Sequence, residues 1–234
     1  MKLYIGWDPR ESLAHDVCKF SVRVNSSKQI DIHSLKLKAL RQSGIYTRPD
    51  DMLSSTEFTF SRFLVPYLCE YTGWSVFCDS DFLWLHDISE LLDNVDNTKA
   101  VIVVKHDYVP TCKTKKSGAS QHIYPRKNWS SMILWNNAHP SNQRLTPDVV
   151  NSKSGQWLHR FSWLKDHEIG GVSHEWNWLT DWYEEPHDGT PHALHYTSGG
   201  PWLDEYANTA YADIWNEYYN RYIKTDNNKS YRAV

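Results

Sequence analysis

Short apolar runs and helical patterns take turns through the first hundred residues, and a chain that alternates in this way is constrained to an α/β sheet. Residues 3–7 read as a strand. Asp8-Pro9-Arg10-Glu11 follows with the signature of a helix start: a capping carboxylate, proline at the first position and an acid at the third. Leu13, Ala14, Val17, Cys18 and Ser21 then fall on one helical face. Residues 30–35, 75–78, 100–104, 131–135 and 192–196 read as further strands, and 58–68 as a helical run that Pro66 must kink or begin. Leu203, Tyr206, Ala207, Ala210, Tyr211, Ile214, Trp215, Tyr218 and Tyr222 recur at helical spacing, which predicts a C-terminal helix over 203–224. Asp204 and Glu205 near its start and Arg221 and Lys224 near its end complement the helix dipole. Its aromatic stripe reads as packing.

No repeat and no Pro-, Gly- or Ser-rich linker divides the chain, so one domain over 1–234 is expected. Residues 105–127 are polar and long for a loop, which points to a functional or disordered segment.

The net charge is -3 with both signs dispersed, so no basic footprint for nucleic acid is present. Lys113, Lys115 and Lys116 read as a solvated loop. No stretch approaches the roughly 18 apolar residues of a membrane span. The opening Met1-Lys2-Leu3-Tyr4-Ile5-Gly6 is expected to be a buried strand, not a secretion signal. Cys18, Cys69, Cys78 and Cys112 lack paired metal spacing and read as free thiols of a cytoplasmic protein. The 12 Trp and 14 Tyr exceed what an ordinary core needs, and rings left over suit a cleft for sugar or nucleotide. A core that simply favours large rings is the competing reading.

The most informative chemistry lies in Trp74-Ser75-Val76-Phe77-Cys78-Asp79-Ser80-Asp81-Phe82-Leu83-Trp84. Two carboxylates appear abruptly where an apolar strand ends, flanked by hydrophobes that make a lone charge costly. A shared divalent cation with hard oxygen ligands, Mg²⁺ or Mn²⁺, resolves that cost. A turn with two solvated Asp residues is the plainer alternative. A second segment, His195-Tyr196-Thr197-Ser198-Gly199-Gly200-Pro201-Trp202, ends a strand on His and continues into paired glycines. Such glycines let backbone amides approach a phosphate closely.

In order along the chain, Gly6-Trp7-Asp8, Ser61-Arg62-Phe63-Leu64-Val65-Pro66, Asp79-Ser80-Asp81, Trp129-Ser130-Ser131-Met132-Ile133-Leu134-Trp135-Asn136, Glu175-Trp176-Asn177 and His195 to Trp202 form a series. Together they resemble the GT-A glycosyltransferases, and glycosyltransferase family eight in particular. The resemblance implies a Rossmann-like mixed sheet flanked by helices, with a nucleotide-binding half over about 1–105 and an acceptor-side half over about 106–202. It implies that Asp79, Asp81 and His195 hold the metal and that Asp8 accepts a hydrogen bond from uracil. Gly6, Trp7, Arg62, Ser80, Gly199 and Gly200 would line the donor, and Ser130, Ser131, Trp176, Asn177, Trp178 and Trp202 the sugar and acceptor side. An ion pair is the structural role open to Arg62, helix capping that of Asp8, and core packing that of the Trp residues. The pattern departs from the family in three places. Gly200 stands where the family carries a Lys in a loop one residue longer. Trp129 replaces an Asn, with Asn128 one position away, and no Asp-Gln-Asp precedes Gly170-Gly171-Val172.

The implied reaction is transfer of a hexose from a UDP-sugar to an acceptor hydroxyl, with retention of anomeric configuration. His174, Glu175, Asp181 and Asp188 are the candidate bases that an inverting enzyme would draw on. A nucleotidyltransferase or phosphohydrolase is a rival reading, although Gly6-Trp7-Asp8-Pro9-Arg10 is not the glycine-rich phosphate loop the former uses. A non-catalytic sugar-binding protein is a second rival, and it gives no reason for two carboxylates and a His at strand ends.

Overall fold

The computed structural model describes residues 1–50, 54–93, 95–107, 126, 128–184 and 190–230. Cys112, the Lys113, Lys115 and Lys116 run, Asp188 and most of 105–127 lie outside the described residues.

A six-stranded sheet forms the centre, in the order β2-β1-β3-β6-β5-β7. Its strands are β1 (Lys2–Trp7), β2 (Asp31–Lys36), β3 (Trp74–Cys78), β5 (Val101–Val103), β6 (Met132–Asn136) and β7 (Ile169–Gly171). Strand β1 runs parallel to both β2 and β3, β6 runs antiparallel to β3 and β5, and β7 is parallel to β5. The five strands other than β6 therefore point the same way and end on one edge, where β6 begins. Open α/β sheets place their ligands on such an edge.

Both faces of this sheet are covered, so its strands are continuous apolar runs. Tyr4, Phe77, Ile133 and Trp135 pack on one side with Phe63, Phe161 and Trp163. Leu3, Ile5, Val76, Cys78, Met132 and Leu134 alternate to the other side with Cys18 and Val22. A second sheet, β4-β9-β8, is built from β4 (Phe82–Trp84), β8 (Trp178–Leu179) and β9 (Ala193–His195).

The helices are α1 (Ser12–Asn25), α2 (Leu37–Gln42), α3 (Val65–Leu68), α4 (Pro147–Ser152), α5 (Gly155–His159) and α6 (Ala212–Ser230). Asp8 caps a 3-10 turn, Pro9–Glu11, that leads into α1, and the helix buries Ala14, Val17, Cys18 and Ser21 as their spacing requires. The 58–68 run breaks into a 3-10 turn, Ser61–Leu64, and then α3, with Pro66 in its first turn. The C-terminal helix starts at Ala212 and not at 203. Tyr211 has φ of 60°, a left-handed conformation that no helix interior accepts, so 204–206 form a separate 3-10 turn. Trp215 and Tyr218 of α6 still reach the core, packing with Val17, Leu83, Trp178 and Leu194. Cys18, Cys69 and Cys78 are buried free thiols, and burial pushes the Cys78 thiol well up. No helix of the described residues is long and apolar enough to cross a membrane.

Candidate metal and donor site

The pairing of the two sheets brings three ligand-bearing residues together. Strand β3 ends at Cys78, and the Asp79 amide extends its ladder by donating to the Ser131 carbonyl at 2.9 Å. Asp81 immediately precedes β4, whose Phe82 faces His195 of β9 in the antiparallel register. The Phe82 and His195 rings stack with centroids 4.5 Å apart, and Tyr196 donates its amide to the Asp81 carbonyl. One ligand atom from each of Asp79, Asp81 and His195 lies within 4.8 Å of the others.

Hydrogen bonds fix the proton on His195. Ser131 donates its hydroxyl to the Asn128 carbonyl, so its oxygen must accept from the Asn177 amide nitrogen 2.9 Å away. The Asn177 oxygen consequently faces Nδ1 of His195 at 2.8 Å, and Nδ1 is the protonated ring nitrogen. In the neutral imidazole Nε2 is then left with a bare lone pair, 3.4 Å from Asp81 Oδ1. That oxygen is buried and has no hydrogen-bond partner among the described residues. Two bare acceptors facing each other across 3.4 Å are unfavourable unless a cation lies between or beside them. Imidazole nitrogen with carboxylate oxygens is a donor set suited to a divalent ion, and the Asn177 relay is the outer support such a His ligand uses.

Asp79 is oriented from behind. Arg62 is 4% exposed and donates Nη1 to Asp79 Oδ1 at 2.6 Å and to the Ser130 carbonyl at 2.8 Å, with Nε toward the Phe58 carbonyl. The rings of Phe58 and Phe77 lie about its guanidinium, 5.3 and 5.0 Å away. Arg62 is thus a brace for Asp79 in this structure, the role open to it beside that of a donor contact.

Glu11 is an addition that motif reading missed. Its carboxylate accepts from the Ser80 hydroxyl at 2.8 Å, and burial first, then the neighbouring Asp81 charge, push its pKa up to about 7. Nothing in its helix-start position signalled this, because the contact spans 69 residues.

Asp8 has its hydrogen-bond partners within the protein in this structure. It is 0% exposed. Oδ1 accepts from the Arg10 amide and from Arg10 Nε, and Oδ2 from Arg10 Nη2 and the Glu57 amide. A carboxylate has about four lone-pair positions, so no position remains for a base. Burial raises the Asp8 pKa, but these hydrogen bonds outweigh it and hold the group below the usual carboxylate range. Beside it, Arg10, Arg41, Tyr46, Thr56, Glu57 and Phe60 are among the residues lining a cleft of about 140 Å³.

The remaining candidates divide between site and core. Gly6 lies so close to Phe58 that a Cβ would stand 2.5 Å from its ring, and Lys36 Nζ sits 4.9 Å over the Trp7 ring. Gly199 has φ of 128° and uses its amide internally, on the Tyr196 carbonyl. At Gly200 a Cβ would fall 2.0 Å from the Trp202 ring, so packing alone demands glycine there. Trp176 and Trp178 are buried, Trp176 against Trp84 and His192, and Trp202 packs on Tyr196 and Trp215. Ser130 pairs with His159 Nδ1 at 2.8 Å. Of the polar candidates on that side, Ser131 and Asn177 support His195 from behind and are not themselves open to a sugar.

Comparison with known proteins gives a consistent fold. No model of a known protein family matches the chain. Protein CDI of Arabidopsis thaliana is 47% identical over 217 residues, covering 92% of this chain and 84% of its own. Among solved structures, the bifunctional glycosyltransferase WbbM superposes with a TM-score of 0.67 at 16% identity, over 94% of this chain and 49% of its own. GlyE of Streptococcus pneumoniae TIGR4 gives 0.61 at 15%, over 98% and 63%. The galactosyltransferase LgtC, solved with donor and acceptor sugar analogs, gives 0.61 at 13%, over 94% and 96%. The chain therefore spans about half the length of WbbM and under two thirds of GlyE, but nearly all of LgtC. At these identities the likeness concerns the fold, which is that of the GT-A glycosyltransferases.

Proposed function

The chain belongs to the same family as Protein CDI, and for this family member we propose metal-dependent transfer of a sugar, a hexose, from a UDP-sugar to an acceptor hydroxyl. The observation that carries the reading is the facing pair of bare acceptors, His195 Nε2 and Asp81 Oδ1, at the ligand-bearing edge of a glycosyltransferase fold. Asp79, Asp81 and His195 would hold Mn²⁺ or Mg²⁺. Bound there, the ion would neutralise the charge that grows on the diphosphate as the anomeric carbon–oxygen bond breaks. Arg62 keeps Asp79 aimed at the ion, and the Asn128–Ser131–Asn177 relay keeps the His195 lone pair available to it. The cleft between Arg10, Arg41, Tyr46 and Phe60 is where the base would lodge, its wall stiffened by the Asp8 fork. Retention follows if the acceptor oxygen attacks from the leaving-group side and its proton passes to a phosphate oxygen. Of the candidate inverting bases within the described residues, His174 packs its ring on Trp178 and Tyr183, Glu175 accepts from the Ser173 hydroxyl, and Asp181 is exposed.

The test is titration calorimetry of UDP with and without Mn²⁺ or EDTA, on wild type and Asp81→Ala. Metal-dependent binding lost in the variant is expected; equal affinity in all four arms ends the reading. Proton NMR of the first product from an α-linked donor reads the stereochemistry, and a β-glycoside excludes retention.

A further inference from the structure

We propose that His106 is a donor-sugar residue, its Nε2 making a neutral hydrogen bond to a hydroxyl of the sugar being transferred; this rests on the transferase reading above. His106 lies just beyond β5, on the same edge that carries Asp79 after β3, and its carbonyl is pinned by Trp129 Nε1 at 3.2 Å. The residue is 5% exposed, and Nδ1 pairs with the Tyr183 hydroxyl at 2.7 Å. Nε2 is buried without a hydrogen-bond partner among the described residues. Other buried ring nitrogens lack partners too, on His15, His33 and His192 among others, and those of Trp84 and Trp135 are embedded in core. His106 differs in standing on the edge that carries Asp79, and it connects to the His195 support through its hydrogen bond to Tyr183, whose ring packs on Trp178 next to Asn177.

Its chemistry suits a sugar and not a phosphate. Burial, with His195 and then His174, lowers the His106 pKa to about 3, so the ring is neutral at any working pH. A neutral imidazole offers a diphosphate no charge but matches an uncharged hydroxyl, which both donates and accepts. Tyr183 sets which it does. Burial lifts the Tyr183 pKa to about 12, so the phenol keeps its proton. When that proton points at Nδ1, Nε2 carries a hydrogen and donates to the sugar. His174 and Trp178 pack on the Tyr183 ring, with centroids 5.2 and 4.9 Å away, and hold it in place. Trp178 follows Asn177, the residue that orients His195, so the support of one imidazole and the ring packed on the other's partner are adjacent in sequence. A site that hydrogen-bonds a substrate hydroxyl discriminates against an analogue lacking it, which makes His106 a specificity residue for the donor.

Two substitutions separate its nitrogens. His106→Asn keeps a group near Nδ1 for Tyr183 and deletes Nε2, whereas His106→Gln returns an amide near the Nε2 position. Wild type and both variants are titrated with UDP, UDP-glucose, UDP-galactose, UDP-xylose and UDP-N-acetylglucosamine in Mn²⁺, and the rate of donor hydrolysis is measured without acceptor. For the UDP-sugar that wild type prefers, His106→Asn should weaken binding and hydrolysis by about 3- to 10-fold, the scale of one neutral hydrogen bond. UDP affinity and melting temperature should stay within about 2-fold and about 2 °C, and His106→Gln should recover part of the loss. Equal loss for UDP, or loss only in KM for an acceptor, overturns the assignment to the donor sugar. Unchanged binding and hydrolysis in a wild type that does bind UDP-sugars overturns this inference alone. A wild type that binds neither UDP nor any UDP-sugar overturns the transferase reading, and this inference with it.

Discussion

Asp8 and Asp81 both follow a strand ending on the same edge of the protein and both lie near other acids; Asp8 is wholly buried, and Asp81 buries one of its two carboxylate oxygens. Asp8 has every lone-pair position occupied by protein, three of them by Arg10 alone. Asp81 keeps an oxygen buried and unbonded, opposite a His nitrogen whose lone pair, in the neutral ring, a relay of three residues turns toward it. Burial by itself does not distinguish a structural carboxylate from a functional one. What distinguishes them is whether the protein has already supplied the partners, because an unpaired buried acceptor costs free energy that only a ligand can return.

The sharpest way to break this contrast is to remove the open corner. Asp81→Ala should abolish measurable metal-dependent UDP binding, a loss of about 100-fold or more, while leaving the melting temperature unchanged or slightly raised, since a strained acceptor has gone. Asp79→Ala should lose the same binding and also cost about 3 kcal/mol of stability, because it strands the buried Arg62 guanidinium. Calorimetry and thermal melts on the two variants measure both. Equal destabilisation by the two would show that Asp81 is as structural as Asp79.

Asn177→Ala is expected to act next most strongly. It frees the His195 ring to rotate and to exchange its proton between nitrogens, which should weaken metal affinity by about 10- to 100-fold with both carboxylates intact. Metal titration followed by UDP fluorescence competition reads this, and an unchanged affinity would remove the relay from the site.

How far the sequence revealed these differences depends on the range of the contact. Five of the six strands of the mixed sheet and the Asp79-Ser80-Asp81 turn were legible because each depends on a few consecutive residues, whereas the three-residue β7, Ile169–Gly171, gave no such signal. The abrupt charge at the end of an apolar strand is a local signal. The late His-Gly-Gly loop was legible for the same reason, although its glycines turn out to answer Tyr206 and Trp202 as well. Asn177 appeared as an acceptor-wall candidate because a motif places it near the sugar; only the β8–β9 pairing shows it behind His195. Glu11 and His106 gave no signal at all. Their importance comes from contacts across 69 and 77 residues, and no periodicity encodes those. The early start expected for α6 failed at one dihedral, that of Tyr211.

Glu11 sharpens the comparison through pH. Its pKa rises from 4.5 in the unfolded chain to about 7 when folded, so between those values the folded chain binds the extra proton. Stability from this group is full below about pH 4.5 and is lost as pH rises through about 7. Denaturant melts at about pH 5 and about pH 8 should differ by on the order of 1–3 kcal/mol in metal-free protein. Glu11→Gln should flatten that difference, and added Mn²⁺ should reduce it by favouring the ionised carboxylate. A slope that survives Glu11→Gln assigns the titration to another group.

The smallest effect on ligand binding should come from the closed corner. Asp8→Asn is nearly isosteric, but its NH₂ group must face donors that now have no acceptor, either the Glu57 amide or an Arg10 nitrogen. The cost should be about 1–3 kcal/mol, or a fall of roughly 2–12 °C in Tm for a domain of this size. Arg10 is largely exposed, so its lost ion pair adds little to that figure. UDP affinity in Mn²⁺ should change by less than about 3-fold once temperature keeps the variant folded, because no lone pair of Asp8 was available to the base in the first place. The opposite pattern, a large loss of UDP affinity with Tm preserved, would mean that Arg10 swings off Asp8 when nucleotide arrives. The two corners would then differ only in the ligand-free protein, Asp8 being held closed by a side chain that the base displaces.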